Sequence, residues 1–179
     1  GKTLTPVGTV VDGNSGLNYS YNFVPSVTGS ITPLSLTAGF TAADKVYDGN
    51  VAASVLTRTL NGVVAGDTAN VNLTGGTASF DTANVGTGKV VTLAGATLSG
   101  GAAGNYSLTS VGSATAAITA LGITGGFTAA DKVYAGNSVA TVLTRTLNGV
   151  LAGDTANVSL TGGTASFDTA NVGAGKAVT

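Results

Sequence analysis

The sequence predicts an all-β protein built from tandem antiparallel β-sandwich (Ig-like) domains in an extended array. Three observations predict it. Short segments alternate apolar and polar residues with the two-residue period of a half-buried strand, Gly-containing pairs punctuate them at close spacing, and the whole pattern recurs after 87 residues. No stretch carries a sustained 3.6-residue apolar period with caps. The alternative within the class is a mixed-sheet, β-grasp-like domain with one crossover.

The recurrence is direct. Phe40–Tyr47 returns as Phe127–Tyr134, Leu56–Gly62 as Leu143–Gly149, and Thr74–Asp81 as Thr161–Asp168, each at an offset of 87. Residues 34–92 and 121–179 differ at 11 of 59 positions without a gap. Residues 1–33 fit the same frame at 13 of 33 positions, through Gly1-Lys2, Asn18-Tyr19-Ser20 and Ile31-Thr32. The expected organisation is the C-terminal part of one unit (1–33), a complete unit (34–120) and the N-terminal two-thirds of another (121–179), cut from a longer chain. A repeat of this length suffices for an independently folding domain, whereas solenoid and helical repeats run roughly 20–50 residues.

Within the complete unit the elements follow in order. Leu34–Phe40 reads as a strand and Asp48-Gly49 as a turn; Val55–Leu60 is a strand closed by Asn61-Gly62. Ala65–Ala69 allows at most one helical turn, as does Thr82–Val85. Val71–Thr74 and Thr77–Phe80 alternate on either side of Gly75-Gly76, which reads as a hairpin turn. Lys89–Ala94 is denser in apolar residues and reads as a more buried strand. After Gly100-Gly101, Tyr106–Thr109 and Ala114–Thr119 complete about seven strands, rich in the β-branched Val and Thr that suit pleated surfaces. Phe40, Tyr47, Phe80 and Tyr106 are the large side chains expected to anchor the core. Thr32-Pro33-Leu34 and Thr119-Ala120-Leu121 join units without a Gly/Ser linker, which predicts a semi-rigid array.

Composition narrows the function classes. The chain is 43% hydrophobic, enough for a core, but only 8% charged, against about a quarter in an average soluble domain. Its seven Lys and Arg face eight Asp and form no cluster, which argues against nucleic acid. No apolar run approaches the roughly 18 residues of a membrane span, so no membrane insertion is expected in this segment. Cys and His are absent, leaving no disulfide, thiolate metal site or histidine base. No catalytic residue, cofactor or enzymatic activity is expected. The Asp residues read as turn or cap acceptors of backbone N–H groups.

Four motifs resemble functional sites but have simpler explanations. Asp48 and Asn50, in Asp48-Gly-Asn50, are the weak calcium candidates, but the second copy reads Ala135-Gly-Asn137 and so loses the carboxylate. Val85-Gly-Thr-Gly-Lys-Val90 lacks the full phosphate-loop spacing and leads into a strand. Lys45 and Lys89 are the candidate donors of an intramolecular isopeptide bond, which needs a buried Lys, an Asn or Asp, and a nearby carboxylate. Asn18, Asn72, Asn105 and Asn157 sit in glycosylation sequons of the kind that arise by chance in a Thr/Ser-rich chain.

Lys45-Val-Tyr-Asp-Gly-Asn50, followed by Ala65-Gly-Asp67, Ala78-Ser-Phe80, Asn84–Lys89, Leu98-Ser-Gly100, Gly104-Asn-Tyr106 and Ile118-Thr119, resembles the YDG-type repeat of filamentous-haemagglutinin-like bacterial adhesins. Ala135, where the signature has Asp, and the diverged residues 1–33 depart from the pattern. The resemblance implies a secreted or cell-surface location, many copies in one long chain and no enzymatic activity. The expected function is a structural stalk or spacer in an adhesin, its partners being neighbouring repeats of the same chain. The alternative is repeats that bind carbohydrate directly or self-associate into fibres. Residues 6–33 of one molecule match the segment that follows residue 179 in the frame, so strands could be donated head to tail.

Overall fold

The computed structural model describes all 179 residues, Gly1 to Thr179. The protein is all-β, with single 3-10 turns at Ala65–Asp67 and Ala103–Asn105 and no α-helix. The strands are β1 (Lys2–Leu4), β2 (Ser26–Gly29), β3 (Leu34–Ala42), β4 (Lys45–Val46), β5 (Ala52–Ala53), β6 (Val55–Asn61) and β7 (Asn72–Phe80). They continue with β8 (Gly86–Ser99), β9 (Tyr106–Val111), β10 (Ala114–Thr119), β11 (Thr124–Ala129), β12 (Val139–Ala140), β13 (Val142–Asn148) and β14 (Ala165–Ser166). No helix is long and apolar enough to cross a membrane.

Two compact units are built from interleaved segments. One holds Gly1–Gly39, Arg58–Gly76 and Gly95–Gly112; the other holds Phe40–Thr57, Thr77–Ala94 and Ser113–Thr179. Strands β3, β6, β7 and β8 contribute residues to both, so these units do not coincide with the 87-residue repeats.

The first unit contains the sheet ordered β6-β3-β9, in which β3 runs parallel to β9 with Leu34 opposite Tyr106 and Leu36 opposite Leu108. Buried Leu36, Val71 and Tyr106 form its core, with Leu60, Val63, Leu98 and Ala102 packed against them. Strands β1 and β2 pair antiparallel.

In the second unit β10 lies between β8 and β4. It is antiparallel to β8, with Ala114 opposite Val91, and parallel to β4, with Ile118 opposite Lys45. Strand β5 pairs antiparallel with β7, β11 with β13, and β12 with β14. The inward residues follow the two-residue period: Ala114, Ala116 and Ile118 on β10, Val91 and Leu93 on β8, Ala78 and Phe80 on β7.

Two findings refine the sequence reading. The hairpins are antiparallel, but the β3–β9 and β4–β10 pairings are parallel, so the sheets are mixed, the feature of the alternative fold. No α-helix accompanies them. Secondly, Gly75-Gly76 does not end a strand: β7 runs through it, with φ of 66° and 82°. The reason lies in the buried positions, which change from Val71 and Leu73 to Ala78 and Phe80. That change of parity demands an irregularity between them, because a one-residue slip turns every later side chain to the other face. Strand β8 makes the matching change at Gly95, from buried Val91 and Leu93 to half-buried Ala96 and Leu98.

Candidate functional site

The Tyr-Asp-Gly signature lies in the loop between β4 and β5. Lys45 starts it, and the chain folds back so that the Lys45 ammonium is ringed by oxygens. Its Nζ donates to Asp48 Oδ1 at 2.7 Å, the Asn50 carbonyl at 2.8 Å, Asn50 Oδ1 at 3.1 Å and the Ala52 carbonyl at 3.0 Å. The same side-chain oxygens also order the loop: Asn50 N donates to Asp48 Oδ1, and Ala52 N to Asn50 Oδ1. The ammonium lies 5.6 Å from the centre of the Phe80 ring, a cation–π distance. The hydrogen bond from Lys45, and then that from Asn50 N, hold the Asp48 carboxyl below its ordinary value of 3.8.

The calcium candidates Asp48 and Asn50 therefore direct their oxygens at an ammonium supplied by the chain itself. No group of three or more His, Cys, Asp or Glu side chains is placed to hold a metal ion. The second copy explains how the loop tolerates Ala135. Lys132 Nζ donates to the Asn137 carbonyl at 2.9 Å, Asn137 Oδ1 at 2.8 Å and the Val139 carbonyl at 3.0 Å. An ammonium has three protons, and these three acceptors satisfy it without a carboxylate.

Lys89 also pairs within its own hairpin, with Asp81 Oδ1 at 2.8 Å and Thr82 Oγ1 at 2.7 Å; Lys176 repeats this with Asp168 and Thr169. In both isopeptide candidates the nitrogen donates its protons to surrounding oxygens. Amide formation instead needs the nitrogen lone pair aimed at a carbonyl carbon. The phosphate-loop look-alike Val85–Val90 leads into β8 at Gly86, a strand.

Two tyrosine–aspartate pairs were not legible in the sequence. Tyr106 Oη donates to Asp67 Oδ2 at 2.7 Å and accepts from Val64 N at 3.2 Å, anchoring the 3-10 turn on the core. That bond to Asp67, and then burial, raise the Tyr106 hydroxyl above its ordinary value of 10. Tyr47 Oη donates to Asp154 Oδ2 at 2.9 Å, and Asp154 is the counterpart of Asp67 in the following repeat. The 87-residue frame makes Asp67 and Asp154 counterparts, but it gives no sign that they bond to different tyrosines.

No curated protein and no solved structure matches the chain. The YDG domain matches twice, over residues 32–116 and 115–179, so that the loop around Lys45 and its copy around Lys132 both fall inside it. The chain belongs to the YDG domain family.

Proposed function

We propose that this chain supplies spacer repeats to the stalk of a secreted or surface-anchored bacterial adhesin, and that it is not an enzyme. The observation that carries the reading is where the large rings lie. Of the four rings expected in the core of the complete repeat, Phe40, Phe80 and Tyr106 are buried, and Tyr47 is half-buried. What recurs on its surface is Thr, Ser and Asn together with single aliphatic side chains such as Leu56 and its counterpart Leu143, rather than an aromatic platform. Tyr19 is exposed, but its counterpart Tyr106 is only 7% exposed, so no exposed ring recurs there at the repeat spacing. The charged side chains support the same reading: Lys45, Lys89, Lys132 and Lys176 all bond to their own loops. The adhesin context rests on the resemblance of the repeat sequence.

The test is deletion of residues 34–120 from the protein at its natural length. Adhesion of cells should weaken as the stalk shortens, while binding of the detached tip to its target stays unchanged. Loss of tip binding in solution, or failure of antibodies against the repeat to label intact cells, would sink the reading.

A second reading, self-association by strand donation, has its own support. Ile123 is 41% exposed where its counterpart Leu36 is fully buried, and Phe127 is 42% exposed where Phe40 is 8%. Beside Phe127, Tyr134, Phe167 and Val178 lies a cavity of about 1040 Å³. Val27–Thr32 align with β10, and Val27 and Ile31 are exposed. Light scattering should then detect concentration-dependent oligomers that Ile31→Asp abolishes. A monomer at all concentrations would dispose of it.

A further inference from the structure

We propose that the Tyr-Asp-Gly turn is the joint between successive repeats, gripping the Leu151–Asp154 loop of the repeat that follows it. Each of its three residues has a separate part. Tyr47 makes the grip, through the 2.9 Å hydrogen bond from its hydroxyl to Asp154 Oδ2, a bond to a charged acceptor. Asp48 orders the turn by accepting from Lys45 and from Asn50 N. Gly49, at φ 78°, turns the chain and leaves room for the neighbour: a Cβ there would lie 3.5 Å from Leu151 Cδ1.

The turn is held where the chain leaves the repeat. Strand β4 pairs with the end of β10, Val46 opposite Thr119, and Tyr47 N donates to the Thr119 carbonyl at 2.8 Å. Leu121, which opens the next repeat, is two residues further on. The gripped loop is ordered by its own backbone: Asp154 N donates to the Leu151 carbonyl, and Asn157 N and Val158 N donate to the Asp154 carbonyl. Leu151 replaces Val64 of the preceding copy, and it is the longer side chain that reaches Gly49.

Comparing the copies isolates the effect. Tyr134 stands in the same Lys-Val-Tyr context as Tyr47, yet Tyr134 is 64% exposed while Tyr47 is half-buried. One aspartate can serve two tyrosines, because a carboxylate accepts at both oxygens. Asp67 takes Tyr106 of its own repeat, and Asp154 takes Tyr47 of the preceding one.

The purpose of the joint rests on the spacer reading, but its existence is tested without it. The chain has no Cys, so Thr92→Cys and Thr146→Cys, both at exposed positions, give a clean spin-labelled pair across the joint in the full chain. The parent should give one narrow distance distribution. Tyr47→Phe and Asp154→Ala should broaden it alike, lowering the ratio of docked to undocked molecules about tenfold, the effect of one hydrogen bond to a charged group. Tyr134→Phe should leave it unchanged. The Tyr47 hydroxyl, raised above 10 first by its bond to Asp154, should titrate nearer 10 in Asp154→Ala. Unchanged widths in Tyr47→Phe and Asp154→Ala, or equal broadening by Tyr134→Phe, would overturn the joint. Adhesion that ignores repeat number would overturn only the spacer reading.

Discussion

Lys45 and Lys132 occupy one position in two nearly identical repeats, yet only Lys45 faces a carboxylate. Three acceptors are common to both, so Asp48 is a fourth partner in an exposed ion pair, a type that contributes little. Asp48→Ala should therefore barely move the denaturation midpoint. Lys45→Ala removes the shared ligand of the loop and the alkyl stem that brings the ammonium to the Phe80 ring, and should cost about 1–2 kcal/mol. Equal losses in chemical denaturation would refute this ranking. Tyr106 makes a different case. Its hydroxyl is raised in the folded state by the bond to Asp67, so its contribution is complete below pH 10 and is lost as pH rises through the raised value. Tyr106→Phe should flatten the alkaline fall in melting temperature while lowering stability near neutrality.

Among the elements, the β7–β8 hairpin is constrained at both ends. Its turn is clasped by Lys89 on Asp81, which holds the Asp81 carboxyl below 3.8 first through that bond and then through Thr82 N. The folded-state value is depressed, so the clasp stabilises above pH 3.8 and fades as pH falls through the lower, folded value. Asp168 and Lys176 behave in the same way. Melting curves of Lys89→Ala should depend less on pH below 3.8 than those of the parent. At the far end, Gly100 has φ 110° and faces the Asn70 carbonyl, where a Cβ would collide with backbone. Gly100→Ala should cost about 1–2 kcal/mol or more, since neither the dihedral nor the contact can relax through a side chain. A melting temperature equal to the parent's would contradict the assigned turn.

Across the whole molecule, the two near-identical sequences are not equally protected. Residues 34–120 bury Leu36, Phe40, Val71 and Leu73, whereas Ile123, Phe127, Val158 and Leu160 at the matching positions are exposed. Local opening costs least where few apolar contacts must be broken. Hydrogen exchange should be slowest in β8 and β10 and markedly faster in β12 and β14, despite the shared sequence of the repeats. Uniform protection would mean that residues 121–179 find a covering strand in solution, the outcome expected of strand donation.

The sequence alone determined the β class, the 87-residue frame and most strand positions, because alternation and glycine punctuation are local. Strand β10 has the predicted bounds, Ala114–Thr119. The parity change from Leu73 to Ala78 was also present in the letters, but two adjacent glycines read as a turn when only their local preference is considered. The ring of oxygens around Lys45 was half visible: Asp48 and Asn50 are side chains in the motif, while the carbonyls of Asn50 and Ala52 carry no residue signature. Tertiary structure alone decided the parallel pairings of β3 with β9 and β4 with β10. It also decided the bond between Tyr47 and Asp154, 107 residues apart. Pairing direction and long-range partners depend on where the whole chain closes on itself, and the backbone donors and acceptors that pair strands are common to nearly every residue type.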